Sequence, residues 1–130
     1  MNSVVWFEIP FDQKERARKF YQDVFGWNIS SVPEMGDYLL ANTTESDPQT
    51  MQPKNPGAIN GGMFQRNSKT AQHPVVAIQV DSIDDYLKKI ESSNGKTIMP
   101  KTDIGQFGFY ALVSDTEGNA IGIWESPKQQ

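Results

Sequence analysis

The sequence predicts an α+β fold built from two similar halves. A β-branched run, Val4 to Ile9, leads into an amphipathic helix that stops at Gly26, and Val75 to Val80 leads into a second helix that stops at Gly95. The glycine lies 14 residues after the candidate N-cap in the first half and 13 residues after it in the second. Because an internal repeat constrains the whole topology, we interpret each half as one strand, one helix and three further strands.

The first helix is predicted over Gln13 to Phe25. Asp12 and Glu15 have the spacing of a capping box, and Gly26 supplies a left-handed stop. Its apolar stripe, which we expect to face the core, consists of Ala17, Phe20, Tyr21, Val24 and Phe25.

The second helix shows the same signals. Ser82 and Asp85 form its capping box, and Asn94-Gly95 forms its stop. Its apolar stripe consists of Ile83, Tyr86, Leu87 and Ile90. Two independent sets of start and stop signals therefore agree on the repeat.

The remaining strands are predicted from extended, alternating segments. They are Asn28 to Ser30, Tyr38 to Ala41, Ala58 to Gln65, Thr97 to Met99, Phe107 to Val113 and Asn119 to Glu125. Thr43 to Gly57 shows no periodicity, so we predict a loop that is either a surface insertion or a lid over a pocket. Asp115 to Asn119 is predicted as a tight turn with Gly118 at positive φ.

Length and composition limit the protein classes. A chain of 130 residues suits one domain, with a first module over about residues 1–66 and a second over about 72–128 that share a core. The absence of cysteine excludes disulfides, thiolate zinc sites and cysteine nucleophiles. A net charge of −4 argues against nucleic acid or an anionic membrane as partner. No segment approaches the roughly 20 apolar residues of a spanning helix, and we expect a cytoplasmic protein.

Motifs along the whole chain resemble the vicinal oxygen chelate superfamily, which includes glyoxalases, bleomycin resistance proteins and dioxygenases. The motifs are Trp6 to Pro10, Arg16-Ala17, Phe20-Tyr21, Val24 to Trp27, Gly61 to Met63, Val80-Asp81, Pro100 to Thr102, Asp115 to Gly118 and Ile121 to Trp124. The resemblance implies two paired βαβββ modules whose eight strands curl into a cup, with the helices outside and the ligand inside, commonly in a homodimer. It does not fix the activity.

The resemblance also implies where a metal would bind. In metal-dependent relatives, four His or Glu side chains come from the first and last strands of each module. In this sequence those places fall at Val4 or Trp6, near Val75, within the carboxylate-free stretch from Asn60 to Gln65, and at Gly122. We therefore predict no metal site and no cofactor. An unorthodox site could recruit only Glu8 and His73, the single histidine.

Glu8 is the candidate catalytic residue. Side chains alternate along a strand, so Val4, Trp6 and Glu8 share the face opposite the helix. A carboxylate in a partly apolar pocket suits a general acid or base. The alternative is a structural pair with a cation such as Lys101, and His73 is either a surface histidine or a proton carrier.

Aromatic side chains predict a binding site. Phe107 and Phe109 are expected to share one face of the seventh strand. The full predicted ligand-binding set is Trp6, Glu8, Tyr38, Asn60, Met63, Gln79, Lys101, Phe107, Phe109 and Trp124. Aromatic walls with a few polar groups hold planar, partly apolar molecules. The alternative is that these rings fill the cup and leave no cavity.

The leading functional hypothesis is a metal-independent protein that binds a partly aromatic or apolar small molecule, with neither nucleic acid nor membrane as partner. One alternative is a glyoxalase-like lyase or isomerase, or a dioxygenase-type enzyme, that uses a divalent cation. A second alternative is a non-catalytic interaction module whose cup is filled.

Overall fold

The computed structural model describes residues 1–127, which contain eight β-strands and two α-helices. Their bounds are β1 Val4–Phe11, α1 Lys14–Phe25, β2 Asn28–Ser31, β3 Leu39–Asn42, β4 Gly61–Gln65, β5 Val75–Gln79, α2 Ile83–Ser92, β6 Lys96–Asp103, β7 Phe109–Ser114 and β8 Ala120–Glu125. Short 3-10 turns lie at Pro33–Met35 and Gly105–Phe107. The predicted α+β class, with two βαβββ modules, is confirmed. Neither α-helix of the described residues is long and apolar enough to cross a membrane.

The chain divides into two compact units. One comprises Trp6–Pro74, and the other comprises Met1–Val5 together with the chain from Val75 onward. In the first unit the strands are ordered β2-β3-β4-β1, and β1 runs parallel to β4. In the second unit the order is β6-β7-β8-β5, and β5 runs parallel to β8. The two units therefore repeat the same strand order and directions.

Strand register identifies the equivalent residues of the two units. Gly62 of β4 pairs with Glu8 and Leu40, whereas Gly122 of β8 pairs with Ala77 and Leu112. Gly62 and Gly122 are therefore equivalent, as are Glu8 and Ala77. Counting two residues back along β1 and β5 makes Trp6 equivalent to Val75.

The core of the first unit lies between α1 and its sheet. Its buried members are Phe11, Ile29, Leu39, Ala41 and Met63. Two residues of the predicted helical stripe, Ala17 and Tyr21, pack against this cluster.

The rest of the predicted α1 stripe does not lie in this core. Phe20, Val24 and Phe25 are 53%, 56% and 58% exposed. Residues four apart form one row along a helix, so the row of Ala17 and Tyr21 faces the sheet while the neighbouring row of Phe20 and Val24 lies at its margin. Phe25 continues the row of Ala17 and Tyr21, but it is the last residue of α1 and is exposed there. The prediction that the whole stripe is core is wrong.

The capping box predicted for α1 is also wrong. The N-cap is Gln13, which makes no side-chain capping hydrogen bond within the described residues. Asp12 instead accepts a hydrogen bond from Arg66 Nη1 at 3.0 Å, so its carboxylate is directed away from the helix. The stop is confirmed, because Gly26 is left-handed with φ of 72°.

The second unit follows its predicted pattern more closely. Its buried core is formed by Val80, Ile83, Ala111, Val113 and Ile123. Ser82 Oγ accepts a hydrogen bond from Asp85 N at 3.2 Å, so the N-cap predicted at Ser82 is confirmed. The left-handed residue after α2 is Asn94, with φ of 72°, and Gly95 follows it. The Asp115 to Asn119 turn is confirmed, with Gly118 at φ of 83°.

Candidate functional site

Three predicted site residues of the first unit form one hydrogen-bonded group. Trp6 Nε1 donates to the Tyr38 hydroxyl at 3.0 Å, and that hydroxyl donates to Glu8 Oε2 at 2.9 Å. Trp6 and Glu8 are two residues apart on β1, so both side chains lie on the same face of the strand. We call Trp6, Tyr38 and Glu8 the polar triad.

A glycine makes the polar triad possible. Tyr38 lies just before β3, and its side chain crosses β4 to reach Glu8 on β1. A β-carbon on Gly62 would collide with the Tyr38 hydroxyl and ring. Since Gly62 pairs with Glu8 across the sheet, the absence of a side chain there opens the path between Tyr38 and its carboxylate partner.

The pKa of Tyr38 is raised in the folded protein. Burial raises the pKa of the Tyr38 phenol well above its ordinary value of 10.0, because the phenolate would be desolvated. The charge of Glu8 and the hydrogen bond to it raise the pKa further, while the Trp6 N–H opposes these effects. Tyr38 therefore stays a neutral donor near neutral pH and fixes the orientation of the Glu8 carboxylate.

The second unit repeats the tyrosine but has apolar residues at the positions equivalent to Trp6 and Glu8. Tyr110 is equivalent to Tyr38, and its hydroxyl lies beside the position of a β-carbon on Gly122. The residues equivalent to Trp6 and Glu8 are Val75 and Ala77, both apolar and buried. Only the first unit therefore carries an indole N–H and a carboxylate at these two positions.

Tyr110 was missing from the predicted site. It pairs directly with Trp124 across β7 and β8, on the face opposite the helix-side core. Aligning the two halves could have found it, because Tyr-Leu-Leu-Ala at residues 38–41 matches Tyr-Ala-Leu-Val at residues 110–113.

Phe107 and Phe109 do not share one face of β7, so that prediction is wrong. Phe107 lies in the 3-10 turn, and Gly108, with φ of 99°, separates it from the strand. The alternation that relates residues two apart applies only inside a strand. Phe107 contributes its carbonyl, which accepts from Trp124 Nε1 at 2.6 Å, while Phe109 packs on the helix-side core.

Lys101 is held by acidic residues of its own unit. Its Nζ lies 3.3 Å from Asp84 Oδ2 and 3.8 Å from Glu125 Oε1, and 4.6 Å from the centre of the Phe109 ring. Glu125 is 7% exposed and accepts from Ile83 N at 2.8 Å at the start of α2. Lys101 therefore neutralises carboxylates at the helix N-terminus.

Asn60 anchors the loop that was predicted between β3 and β4. Its Oδ1 accepts from Thr43 N at 2.8 Å and Thr44 N at 3.1 Å, and its Nδ2 donates to Ser46 Oγ at 3.1 Å. Asn60 is buried, so these bonds satisfy a polar side chain inside the protein. Its side chain holds the start of the loop in place.

Three further predicted residues lie apart from the polar triad. Met63 is fully buried in the α1-side core, on the opposite face of its strand from Gly62. The Gln79 side chain is exposed, and its backbone pairs with Ser3. His73 is exposed just before β5.

Comparisons with known proteins agree with this fold. A family model described as bleomycin resistance protein-like N-terminal matches residues 3–43. CFP32 of Mycobacterium tuberculosis, provisionally named a glyoxylase, is 28% identical over 126 residues, which is 93% of this chain and 44% of that protein. A glyoxalase/bleomycin resistance protein/dioxygenase superfamily member from Vibrio splendidus superimposes with a TM-score of 0.62 at 9% identity, covering 97% of this chain and 100% of that one.

The chain is therefore similar to proteins of the glyoxalase, bleomycin resistance and dioxygenase group in its sequence and in its fold. A further relative, the anthracycline biosynthesis protein DnrV of Streptomyces peucetius, is 24% identical over 131 residues. That alignment covers 92% of this chain and 45% of DnrV. The chain thus spans less than half the length of the curated relatives it matches.

The metal site that the resemblance implies does not fit the residues of this chain. No group of three or more His, Cys, Asp or Glu side chains within residues 1–127 is arranged to hold a metal ion. One oxygen of Glu8 already accepts from Tyr38, and the equivalent place in the second unit is Ala77. A divalent site needs several such donors converging on one point, so we derive no step through a metal.

Proposed function

We propose that this protein binds a small, partly aromatic molecule without a metal ion, at the face that carries the polar triad. The observation that carries the proposal is the pair of hydrogen bonds that join Trp6, Tyr38 and Glu8. They hold an indole, a neutral phenol and a carboxylate on one face of the first unit.

Each member of the triad has a distinct role in binding. The Trp6 ring offers an aromatic surface for stacking, and its hydrogen bond to Tyr38 limits its rotation. Glu8 offers a carboxylate that can accept hydrogen bonds from a ligand and whose orientation Tyr38 fixes. Groups held in place before binding lose less conformational entropy when the ligand arrives, so the triad favours affinity.

Glu8 also has the chemistry for proton transfer. Glu8 accepts a hydrogen bond from the neutral Tyr38 phenol, and a carboxylate on the proposed binding face is a group that can accept a proton from a bound molecule. If the protein catalyses a proton transfer on the bound molecule, we propose that Glu8 is the group that accepts the proton. The similarity to a protein of anthracycline biosynthesis supports a ligand that contains fused aromatic rings.

The test is a ligand screen in the presence of a chelator. Aromatic metabolites and antibiotics are screened by thermal shift, and each hit is titrated while the indole N–H resonance of Trp6 is followed. Hits should bind at least about ten-fold more weakly to Tyr38→Phe and Glu8→Gln. Tyr21→Phe, which removes a hydroxyl at the α1 side, is the matched control and should bind normally. Hits that bind both triad variants as tightly as the wild type would contradict the proposal.

A further inference from the structure

Asn60 lies on the same face of the first unit as the polar triad. A β-carbon on Gly61 would meet the side chain of Phe7, which packs on the helix-side core. A β-carbon on Gly62 would instead meet Tyr38 of the triad. Because successive side chains of an extended chain point to opposite faces, Asn60 shares the face of Gly62.

Asn60 is also the neighbour of Trp6. Phe7 of β1 pairs with Gly61 of β4, and the two strands run parallel. The residues that precede this pair, Trp6 and Asn60, therefore lie side by side, with their backbones about 4.8 Å apart. A buried amide is thus adjacent to the indole of the triad.

The Asn60 side chain holds the first turn of the loop over this face. Its Oδ1 accepts from Thr43 N at 2.8 Å and from Thr44 N at 3.1 Å, and its Nδ2 donates to Ser46 Oγ at 3.1 Å. Asn60 is only 4% exposed, so removing its amide would leave the two backbone N–H groups without their acceptor. The position of this turn, on the side of the sheet that carries Trp6, therefore depends on Asn60.

The rest of the loop forms a small hairpin. Ser46 and Pro53 form an antiparallel bridge, and Asp47 N donates to Gln52 O at 2.8 Å. These contacts join the outgoing and returning arms of the loop. The hairpin is thus a compact segment whose attachment to the sheet runs through the turn that Asn60 holds.

We propose that Asn60 is a positioning residue, and that the loop over residues 43–57 which it holds forms a wall of the binding face beside Trp6 and limits the size of the aromatic ligand. The role assigned to Asn60 rests on the function proposed for the polar triad. A fixed wall discriminates between ring systems by excluding those that would collide with it, and a released loop loses that discrimination.

The first test measures how well the loop covers Trp6. In Asn60→Ala the loop should be released, and the exchange of the Trp6 indole N–H with water, followed by NMR, should become at least about three-fold faster. The indole N–H of Trp27, on the helix side of the same unit, is the internal control for global unfolding and should be unchanged. Asn67→Ala, which removes the acceptor of Lys69 N in the turn after β4, is the matched control variant.

The second test measures ligand selection with two named probes, 2-naphthol and the larger 1-hydroxyanthraquinone. The ratio of their dissociation constants should shift by at least about five-fold in favour of the larger compound in Asn60→Ala, and should stay as in the wild type in Asn67→Ala. Ser46→Ala removes one bond to Asn60 and keeps the two backbone bonds, so it should give a smaller shift in the same direction.

Two results would overturn the proposal. They are an unchanged exchange rate of Trp6 in Asn60→Ala, and equal weakening of both compounds, which a purely structural role of Asn60 would produce. If neither compound binds the wild type, the proposed function fails for fused-ring ligands, and the exchange rate of Trp6 still decides whether the loop covers this face. If Asn60→Ala does not fold, both measurements on Ser46→Ala decide the question.

Discussion

The Tyr38 phenol lies over the backbone of Gly62, in the space that a β-carbon on Gly62 would occupy. The same relationship recurs between Tyr110 and Gly122. A tyrosine that crosses a glycine is thus a repeated feature of both units. In the first unit alone, the register places Trp6 and Glu8 around it, where the second has Val75 and Ala77.

Gly62→Ala should destabilise the protein by about 1–3 kcal/mol, because the added methyl group forces Tyr38 out of its position. In a Tyr38→Ala background the same change should cost clearly less, since the obstructing ring is gone. Urea unfolding of the four proteins of this double-mutant cycle measures the coupling. Equal costs in both backgrounds would show that the two residues do not compete for space.

Tyr38→Phe should lower the free energy of unfolding by about 1–2 kcal/mol, because Trp6 loses an acceptor and Glu8 a donor. The indole N–H resonance of Trp6 should shift strongly. The resonance of Trp124, which donates to the Phe107 carbonyl, should stay in place and serves as the internal control. An unchanged Trp6 resonance would contradict the hydrogen-bond pattern of the triad.

Stability should fall at alkaline pH in a way that depends on Tyr38. Its pKa in the folded protein is raised above the ordinary 10.0, so the stabilisation is fully present below about pH 10. Above that pH the unfolded chain loses the phenol proton while the folded protein keeps it, and stability declines as the pH rises toward the folded pKa. Urea unfolding at increasing pH should show a steeper decline in wild type than in Tyr38→Phe. Identical slopes would contradict the raised pKa.

Glu125→Ala should cost about 2–3 kcal/mol, because it removes the acceptor of Ile83 N and one partner of Lys101. Glu125→Gln should cost less, since an amide oxygen can still accept from Ile83. Thermal or urea unfolding measures both, with Glu117→Ala at an exposed turn position as the matched control. A Glu125→Ala protein as stable as the control would show that the buried carboxylate does not cap α2.

The repeat could be predicted from sequence because its signals are local. The Ser82 N-cap and the Gly26 stop depend on a few neighbouring residues, and both are present. The predictions that failed depend on tertiary structure. The local sequence predicts Asp12 as a helix cap, but in the folded protein Asp12 pairs with Arg66, which is 54 residues away in the sequence. Phe20, Val24 and Phe25 were predicted as core residues because helical periodicity does not specify how the helix is oriented against the sheet.

The polar triad was only partly predictable. Alternation along β1 put Trp6 and Glu8 on one face, and Tyr38 was predicted as a ligand-binding aromatic. Nothing in the local sequence joins Tyr38 to residues 30 and 32 positions earlier. That contact depends on the register of β3, β4 and β1 and on the missing side chain of Gly62. The face of Phe109 was mispredicted because the turn at Gly108 interrupts the alternation.

The most direct measurement is the dissociation constant of the tightest screened aromatic ligand, determined by calorimetry with chelator and again with added zinc or manganese. We predict the same constant in both conditions for the wild type, and a constant at least about ten-fold weaker for Tyr38→Phe in both. Binding that requires the added cation, or that is as tight in Tyr38→Phe as in the wild type, would contradict a metal-independent site built on Trp6, Tyr38 and Glu8.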